Sequence, residues 1–469
     1  MSGDNPGVKT LRSHLNRLRD LGLGPIEITD QMDCRTHDLA ALAKQMEDMG
    51  NRRPLLFTNV LNQLGQPSQF PLLMNLFATR SLCAAALDHP VDKYGMDLTH
   101  HYARLVGEHG ETPLIPKDEA PAKECICSPA EIDCRKFPIP YCHEKDVGPY
   151  FVMSNIMKSH EGFYDATMTK NLIYGPRRLS VSAHWHHHLM RIYEEYEKKG
   201  ERAPIAIVVS HHPAFFLGMC ALADWANDDY GTIASCFREP FRLTASETWG
   251  EDFLVPADAE LIIEGEVLPG ERDWQNPFGE ISGHYQERMR VPVVEVTAVT
   301  HRNDAIFQHM LPGYPEHWIL GGLPKEGTMW AELKPKIPSL QALHLPDSGC
   351  GRFSLVMSFK DAKPGDFRIA SMMSFSDMPN LKIAIAVDDD INVFNEREVM
   401  WAVATQTWWD KDIETINQVQ SFRKWLGDTV IMIDARRPNI EDFPERNRMP
   451  AEALARVEGL ARELMSQAR

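Results

Sequence analysis

Leucines at positions 11, 15, 18 and 21 recur every three or four residues. This period lays one apolar stripe along residues 9–23 and predicts an amphipathic helix stopped by Gly22 and Gly24. Residues 25–29 (PIEIT) follow as a short strand, 38–49 as a second helix, 54–58 (PLLFT) as a buried strand and 71–87 as another helix, an alternation that predicts an α/β domain. From about 108 to 148 Pro, Lys, Glu and Asp dominate, and the stretch ends in PIPYCHEKDVGPY, which suits neither period and predicts a surface linker. Beyond it the pattern alternates every second residue. Residues 166–174, a Gly-Pro-Arg-Arg turn at 175–178 and residues 179–183 predict a β-hairpin. Apolar runs at 204–210, 260–264, 291–300 and 305–310 extend it into a mostly antiparallel sheet or barrel over roughly 150–315. Strand and helix alternate again from about 330: a strand at 352–359, a helix from Pro364, a buried strand at 382–387 and a helix at 396–405. Residues 450–468 form a last helix whose Leu454, Val457, Leu460 and Leu464 share one face expected to pack.

Composition narrows the function. The chain of 469 residues carries 49 Lys+Arg against 66 Asp+Glu, a net charge of −17, which argues against a nucleic-acid groove. No window approaches the roughly 18 apolar residues of a membrane span, and MSGDNPGVKTLRSHLNRLRD has no apolar core to act as a signal peptide, so a cytoplasmic protein is expected. Nine cysteines without regular spacing predict reduced thiols. Cys125, Cys127, Cys134 and Cys142 with His143 lack the paired knuckles of a structural zinc site and read as isolated thiols.

Three features carry candidate chemistry. His184, His186, His187 and His188 flank and follow Trp185 after a strand, and His211-His212 follow another, so a transition-metal ligand within the run competes with a polar helix start. The turn Gln275-Asn-Pro-Phe-Gly-Glu280 holds one carboxylate rigidly between apolar neighbours, where partial desolvation would raise it toward a general acid's range. The run Ile383–Val387 ends in Asp388-Asp389-Asp390, at the carboxyl end of a strand where α/β sheets place ligands, although a solvated acidic turn has the same composition.

In order along the chain, PIPYCHEKDVGPY, HWHHH, FLVPADAELIIEGEVLPGE, NPFGEISGHY, VTAVTHRNDAIFQ, KIAIAVDDDINVFNEREVMWAVAT and IDARRP with FPERNRMP resemble the UbiD family of prenylated-flavin-dependent (de)carboxylases. The resemblance implies an N-terminal α/β domain over 1–125, a central split β-barrel of the flavin-reductase kind over 126–315 and a C-terminal α/β domain over 316–469. It also implies prenylated FMN bound through a divalent metal (Mn²⁺, with Fe²⁺ or Mg²⁺ as alternatives) and a nearby K⁺, supply of the cofactor by a flavin prenyltransferase, and a homodimer or homohexamer.

Carried over by position, the family's metal-binding Asn, His and Glu fall on Asp165, His188 (with His187 or His186 as alternatives) and Asn227, next to Asp228. Thr167, His187 and Lys382 fall on the cofactor side. The catalytic Glu-Arg-Glu/Asp set falls on Gln275, Lys170 and Glu280, of which Glu280 alone matches. A register shift would substitute Asn171 and Arg177 for Asp165 and Lys170. Lys170 lacks the fork of an Arg and Gln275 cannot take a proton, yet together they retain hydrogen bonds for a carboxylate. The expected activity is decarboxylation of an aromatic or α,β-unsaturated acid, or an aromatic acyl thioester, with Glu280 as proton donor. A non-catalytic flavin- or metal-binding relative, or a subunit of a larger carboxylase, is the alternative.

Overall fold

In the computed structural model, which describes residues 8–182, 187–419, 421 and 423–467, the leucine stripe forms the helix Leu11–Asp20, entered through a capping box of Thr10 and Ser13. The strand Ile26–Ile28 runs parallel to Leu55–Phe57, which pairs antiparallel with Leu72–Met74, and Phe307–Gln308 completes this small sheet. Residues 71–87 are therefore not one helix. The strand Leu72–Met74 gives way at Asn75 (φ 64°) to the helix Arg80–Ala86, capped by Thr79. The break is held from afar, because Glu316 accepts the N–H groups of Asn75 and Leu76 at 3.1 and 2.6 Å.

The central sheet is antiparallel and has seven strands. Its order is Cys125–Cys127, Met289–His301, Leu261–Gln275, Ala203–Ser210, Tyr150–Lys158 and Tyr164–Leu172, with Arg178–Ser180 also on Met289–His301. The expected hairpin at 166–183 closes irregularly, with Tyr174 N–H donating to Arg178 O at 2.9 Å, and its first strand finds its continuous partner on the other side. Tyr164–Leu172 pairs along its whole length with Tyr150–Lys158, and meets the later segment through the antiparallel bridges Lys170↔Ser182 and Ile173↔Leu179 and through Ser180, which accepts from Leu172 N–H and from the Asn171 amide at 2.8 Å. Tyr150–Lys158 is buried at every position but its last, so it lacks the alternation that marks a half-exposed strand. The segment before it is no surface linker: Phe137, Ile139 and Cys142 are buried.

A five-stranded sheet follows, in the order Leu340–His344, Ser354–Phe359, Ile383–Asp388, Val430–Asp434, Ile413–Ile416, with its three middle strands parallel. The helix Pro315–Leu333 joins the halves of the molecule. Its Ile319, Leu320 and Leu323 enter the large core that begins at Leu11, and its Met329 and Leu333 enter the core on one face of the five-stranded sheet. Pro315, Gly321, Gly322, Pro324 and Gly327 hide this helix from any propensity argument, and burial on both flanks sustains it. The last helix, Ala451–Gln467, makes no use of its apolar face within the chain, since Leu454, Val457, Leu460 and Leu464 are 50–57% exposed. None of the described helices is long and apolar enough to cross a membrane.

Candidate active site

A cavity of about 610 Å³ lies between the strand Tyr164–Leu172, the helix Pro315–Leu333, the turn carrying Glu280, and residues 376–380 and Arg423 of the C-terminal part. Its volume suits a cofactor or a drug-sized ligand.

One end is cationic. Lys170 donates to Glu280 Oε1, Arg423 Nη2 donates to Glu280 Oε2 at 2.8 Å, and the Lys170 ammonium lies 4.1 Å from the centre of the Phe278 ring. The turn is built to hold this carboxylate. Glu280 N–H donates to His284 O at 2.9 Å, and Gly279 N–H donates to Asp146 Oδ1 at 3.0 Å. A Cβ on residue 279 would come within 2.3 Å of the His143 ring, so only glycine lets the turn press against PIPYCHEKDVGPY. Val147 N–H closes the contact by donating to Pro277 O at 3.0 Å.

Burial alone would raise the Glu280 carboxyl, but Lys170 and Arg423 outweigh it and hold the group down to about 2. This reverses the expectation of a carboxyl raised into the general-acid range. The apolar turn was legible, whereas the two cations arrive from 110 and 143 residues away. His317, Lys325 and Arg352 line the same cavity, His317 and Arg352 within electrostatic reach of Arg423 and Lys325 beside Arg352. Burial, with Lys170 and Arg352 nearby, holds His317 down to about 3. Its Nδ1 accepts from Gly313 N–H at 3.2 Å, which leaves the proton of the neutral ring on Nε2.

The other end is acidic. His188 Nδ1 lies 3.6 Å from Asp165 Oδ1. Asp165 also accepts from the Thr167 hydroxyl at 2.8 Å, and Asp229 accepts from Ala166 N–H at 2.8 Å. Burial raises both carboxyls, and Asp165 raises Asp229 further. Two buried carboxyls set against each other beside an imidazole form a hard oxygen and nitrogen donor set that fits a divalent cation. Among the described residues no three such donors already converge on one point.

Asp165, Thr167, Lys170, His187, His188 and Glu280 thus line one cavity. The fallback residues do not line it: Asn171 is bonded to Asn155 and Ser180, and Arg177 to Val296 O. Three expected positions also stand elsewhere. Gln275 is fully buried with both amide atoms unpartnered, and Lys170 reaches Glu280 instead of it. Lys382, just before the strand Ile383–Asp388, donates to Gly427 O at 3.2 Å outside the cavity. Asn227 donates to Thr232 Oγ1 at 3.1 Å and Asp228 caps the helix Asp229–Phe237, so Asp229 is the residue that reaches the cavity.

His184 and His186 lie outside the described residues. His211 and His212 are core residues, packed among Phe215, Phe237 and Phe241, and burial holds both well below the usual imidazole range. The four clustered cysteines remain unpaired thiols. At the end of the strand Ile383–Asp388, Asp389 faces Lys360, and Asp390 faces Arg437 and Arg448. Sequence reasoning missed Arg423, Asp229, His317, Lys325 and Arg352; of these Asp229 alone had a signal, two residues from Asn227.

Three family models of 3-octaprenyl-4-hydroxybenzoate carboxy-lyase domains match the chain: the N-terminal domain over residues 26–101, the Rift-related domain over 114–315 and the C-terminal domain over 318–424. An anhydromevalonate phosphate decarboxylase from Methanosarcina mazei is 28% identical over 411 residues, covering 88% of this chain and 90% of that one. An evolved dimeric form of the UbiD-class enzyme HmfF from Pelotomaculum thermopropionicum, in complex with prFMN, superposes with a TM-score of 0.85 at 30% identity over 95% of this chain and 98% of that one. A 3,4-dihydroxybenzoic acid decarboxylase from Enterobacter cloacae shares the fold, with a TM-score of 0.85 at 24% identity over 97% of this chain and 100% of that one. With all three domain models matched in order and a 30%-identical structure aligned over nearly its full length, the chain belongs to the UbiD family of carboxy-lyases.

Proposed function

We propose that this chain removes CO₂ from an α,β-unsaturated or aromatic carboxylic acid, with prenylated FMN held through a divalent metal. The observation that carries the reading is one cavity in which Lys170, Glu280 and Arg423 stand at one end and Asp165, Asp229 and His188 at the other. The bound cofactor supplies the electron sink that a carbanion on an sp² carbon lacks. Asp165, Asp229 and His188 would hold the metal, with Thr167 and His187 beside them on the cavity wall. The prFMN complex of HmfF supports the flavin in this reading, and the decarboxylase relative from M. mazei supports the loss of CO₂.

Lys170 and Arg423 hold Glu280 in the free protein and exchange part of that grip for the substrate carboxylate. The incoming negative charge raises Glu280 from about 2, so that it takes up a proton from solvent. Glu280 then delivers that proton to the carbon from which CO₂ departs, and RCO₂⁻ plus one proton become RH and CO₂. The test is to co-produce the chain with a flavin prenyltransferase, supply Mn²⁺, and measure CO₂ from a panel of aromatic and alkenoic acids that includes anhydromevalonate phosphate. Flavin-dependent CO₂ release is the expected result. Protein carrying prenylated flavin that releases none from any acid would be a non-catalytic flavin-binding relative.

A further inference from the structure

The carboxylates that line the cavity are all engaged. Asp165 and Asp229 face each other beside His188, Glu280 is taken by Lys170 and Arg423, and Asp377 is shared with Glu332. Two cations on the same walls have no such partner. Among the described residues neither Lys325 nor Arg352 lies within ion-pair distance of a carboxylate, and Lys325 donates to no protein acceptor. Arg352 spends one N–H on Gly351 O at 3.0 Å, which leaves most of its five donors unused.

The fold makes room for this arrangement. Arg352 lies against the helix Pro315–Leu333 at Gly321, where a Cβ would come within 1.8 Å of Nη2. Any side chain at 321 would displace the guanidinium. Burial and the neighbouring Arg352 pull Lys325 down to about 7, and burial, reinforced by Arg423, pulls Arg352 down to about 10. Arg352 stays a cation without a counter-charge, and Lys325 stands near the midpoint of its titration at neutral pH, so that an arriving anion completes its charge. Cys220 lies beside both, and burial raises its thiol and so keeps it neutral.

Lys170, Arg423, Lys325 and Arg352 therefore line one cavity in which, among the described residues, only Lys170 and Arg423 meet a carboxylate, Glu280, in a chain whose net charge is −17. A substrate with one carboxylate engages Lys170 and Arg423 and leaves the other two desolvated and unpaired, which is costly. We propose that the substrate carries a second anionic group, a carboxylate or a phosphate ester, held by Lys325 and Arg352 with the Nε2–H of His317 between the two anion sites. This rests on the decarboxylase reading for its first carboxylate. It adds that the acid is at least a dianion and that Lys325 and Arg352 select it.

The test measures ligand affinity on the flavin-loaded protein, by quenching of flavin fluorescence, with matched pairs. Muconate against sorbate replaces a methyl group by a carboxylate on one diene, and anhydromevalonate phosphate against its dephosphorylated alcohol removes a phosphate. In at least one pair the more highly charged member should bind about tenfold tighter or better, the scale of one charge-assisted hydrogen-bond set. The pair that responds tells a carboxylate from a phosphate.

In the double variant Lys325→Met with Arg352→Met that ratio should fall to about threefold or less, while Lys325→Arg with Arg352→Lys, which keeps both charges, should retain most of it. Equal affinities in both pairs would overturn the inference. So would a double variant that loses flavin while the ratio survives, since the two cations would then anchor the cofactor phosphate. Preference for the dianion without any CO₂ release would count against decarboxylation and leave the second anion site standing.

Discussion

The two ends of the cavity differ in what each is missing. At the acidic end Asp165 and Asp229 repel each other and both carboxyls are raised by burial; at the cationic end, only five residues along the strand Tyr164–Leu172, Lys170 and Arg423 hold Glu280 down to about 2, while Lys325 and Arg352 stand unpaired. Neither end is balanced by protein charge alone. On the proposed reading the first end takes a cation and the second takes anions, so the polarity of the cavity wall orients what enters it. Ligands settle a cost that the fold carries without them.

The sharpest way to break this comparison is at Glu280. Glu280→Gln keeps shape and hydrogen-bonding reach but removes the transferable proton, so decarboxylation in the reconstituted protein should fall by about 10²-fold or more while flavin absorbance is retained. Near-normal CO₂ release would give the proton transfer to water or another group. At the acidic end, chelation of the divalent metal should release flavin. Asp229→Ala should weaken flavin retention on the order of tenfold and Asn227→Ala by less, as read by gel filtration in Mn²⁺. The reverse order would return the metal position to Asn227.

Acid provides a graded version of the same contrast. Glu280 has a folded pKa of about 2, below its unfolded value near 4.5. The folded state thus binds fewer protons here, and the stabilisation is fully present above about 4.5 and is lost as pH falls toward 2. The difference in unfolding midpoint between the unmodified protein and Glu280→Gln should therefore be flat from about pH 6 to 8 and shrink below about 4.5. A difference that grows with acidification would mean that Glu280 is not held down by Lys170 and Arg423.

What could be read from the sequence follows from the range over which each cause acts. The helix Leu11–Asp20 declares itself by its leucine period, and the turn around Glu280 by its Gly and Pro, because local patterning decides both. Glu280, Lys170, Asp165 and His188 were reachable because each sits in or beside a recognisable segment. Lys325, Arg352 and Arg423 were not, because a Lys in PKEG or an Arg in SFRK has no local mark and gains meaning only from the wall it lines. The same distance explains the sign error at Glu280, whose apolar setting is local and whose cations are not. The strand Leu72–Met74 was hidden inside an apparent helix because Glu316, on a helix from another part of the chain, supplies the acceptors that let the backbone break.

The smallest expected effect concerns Gln275 and sets the boundary of the cationic end. Sequence reasoning pairs Lys170 with Gln275, and that arrangement would couple their mutational effects by roughly 0.5–3 kcal/mol. In the fold the ammonium of Lys170 meets Glu280 and Phe278, while Gln275 closes the strand Leu261–Gln275 opposite Met289 with both amide atoms buried and unpartnered. The two side chains share no hydrogen-bond partner. Lys170→Ala and Gln275→Ala should therefore combine additively, with an interaction energy below about 0.5 kcal/mol in both unfolding and turnover, whereas Lys170→Ala with Glu280→Gln should fall well short of additivity. Additivity in the first cycle and not in the second would confine the working charge set to Lys170, Glu280 and Arg423. Strong coupling between Lys170 and Gln275 would instead show that the amide swings into the cavity when ligands bind, and would restore to it the position its acidic counterpart holds in the family pattern.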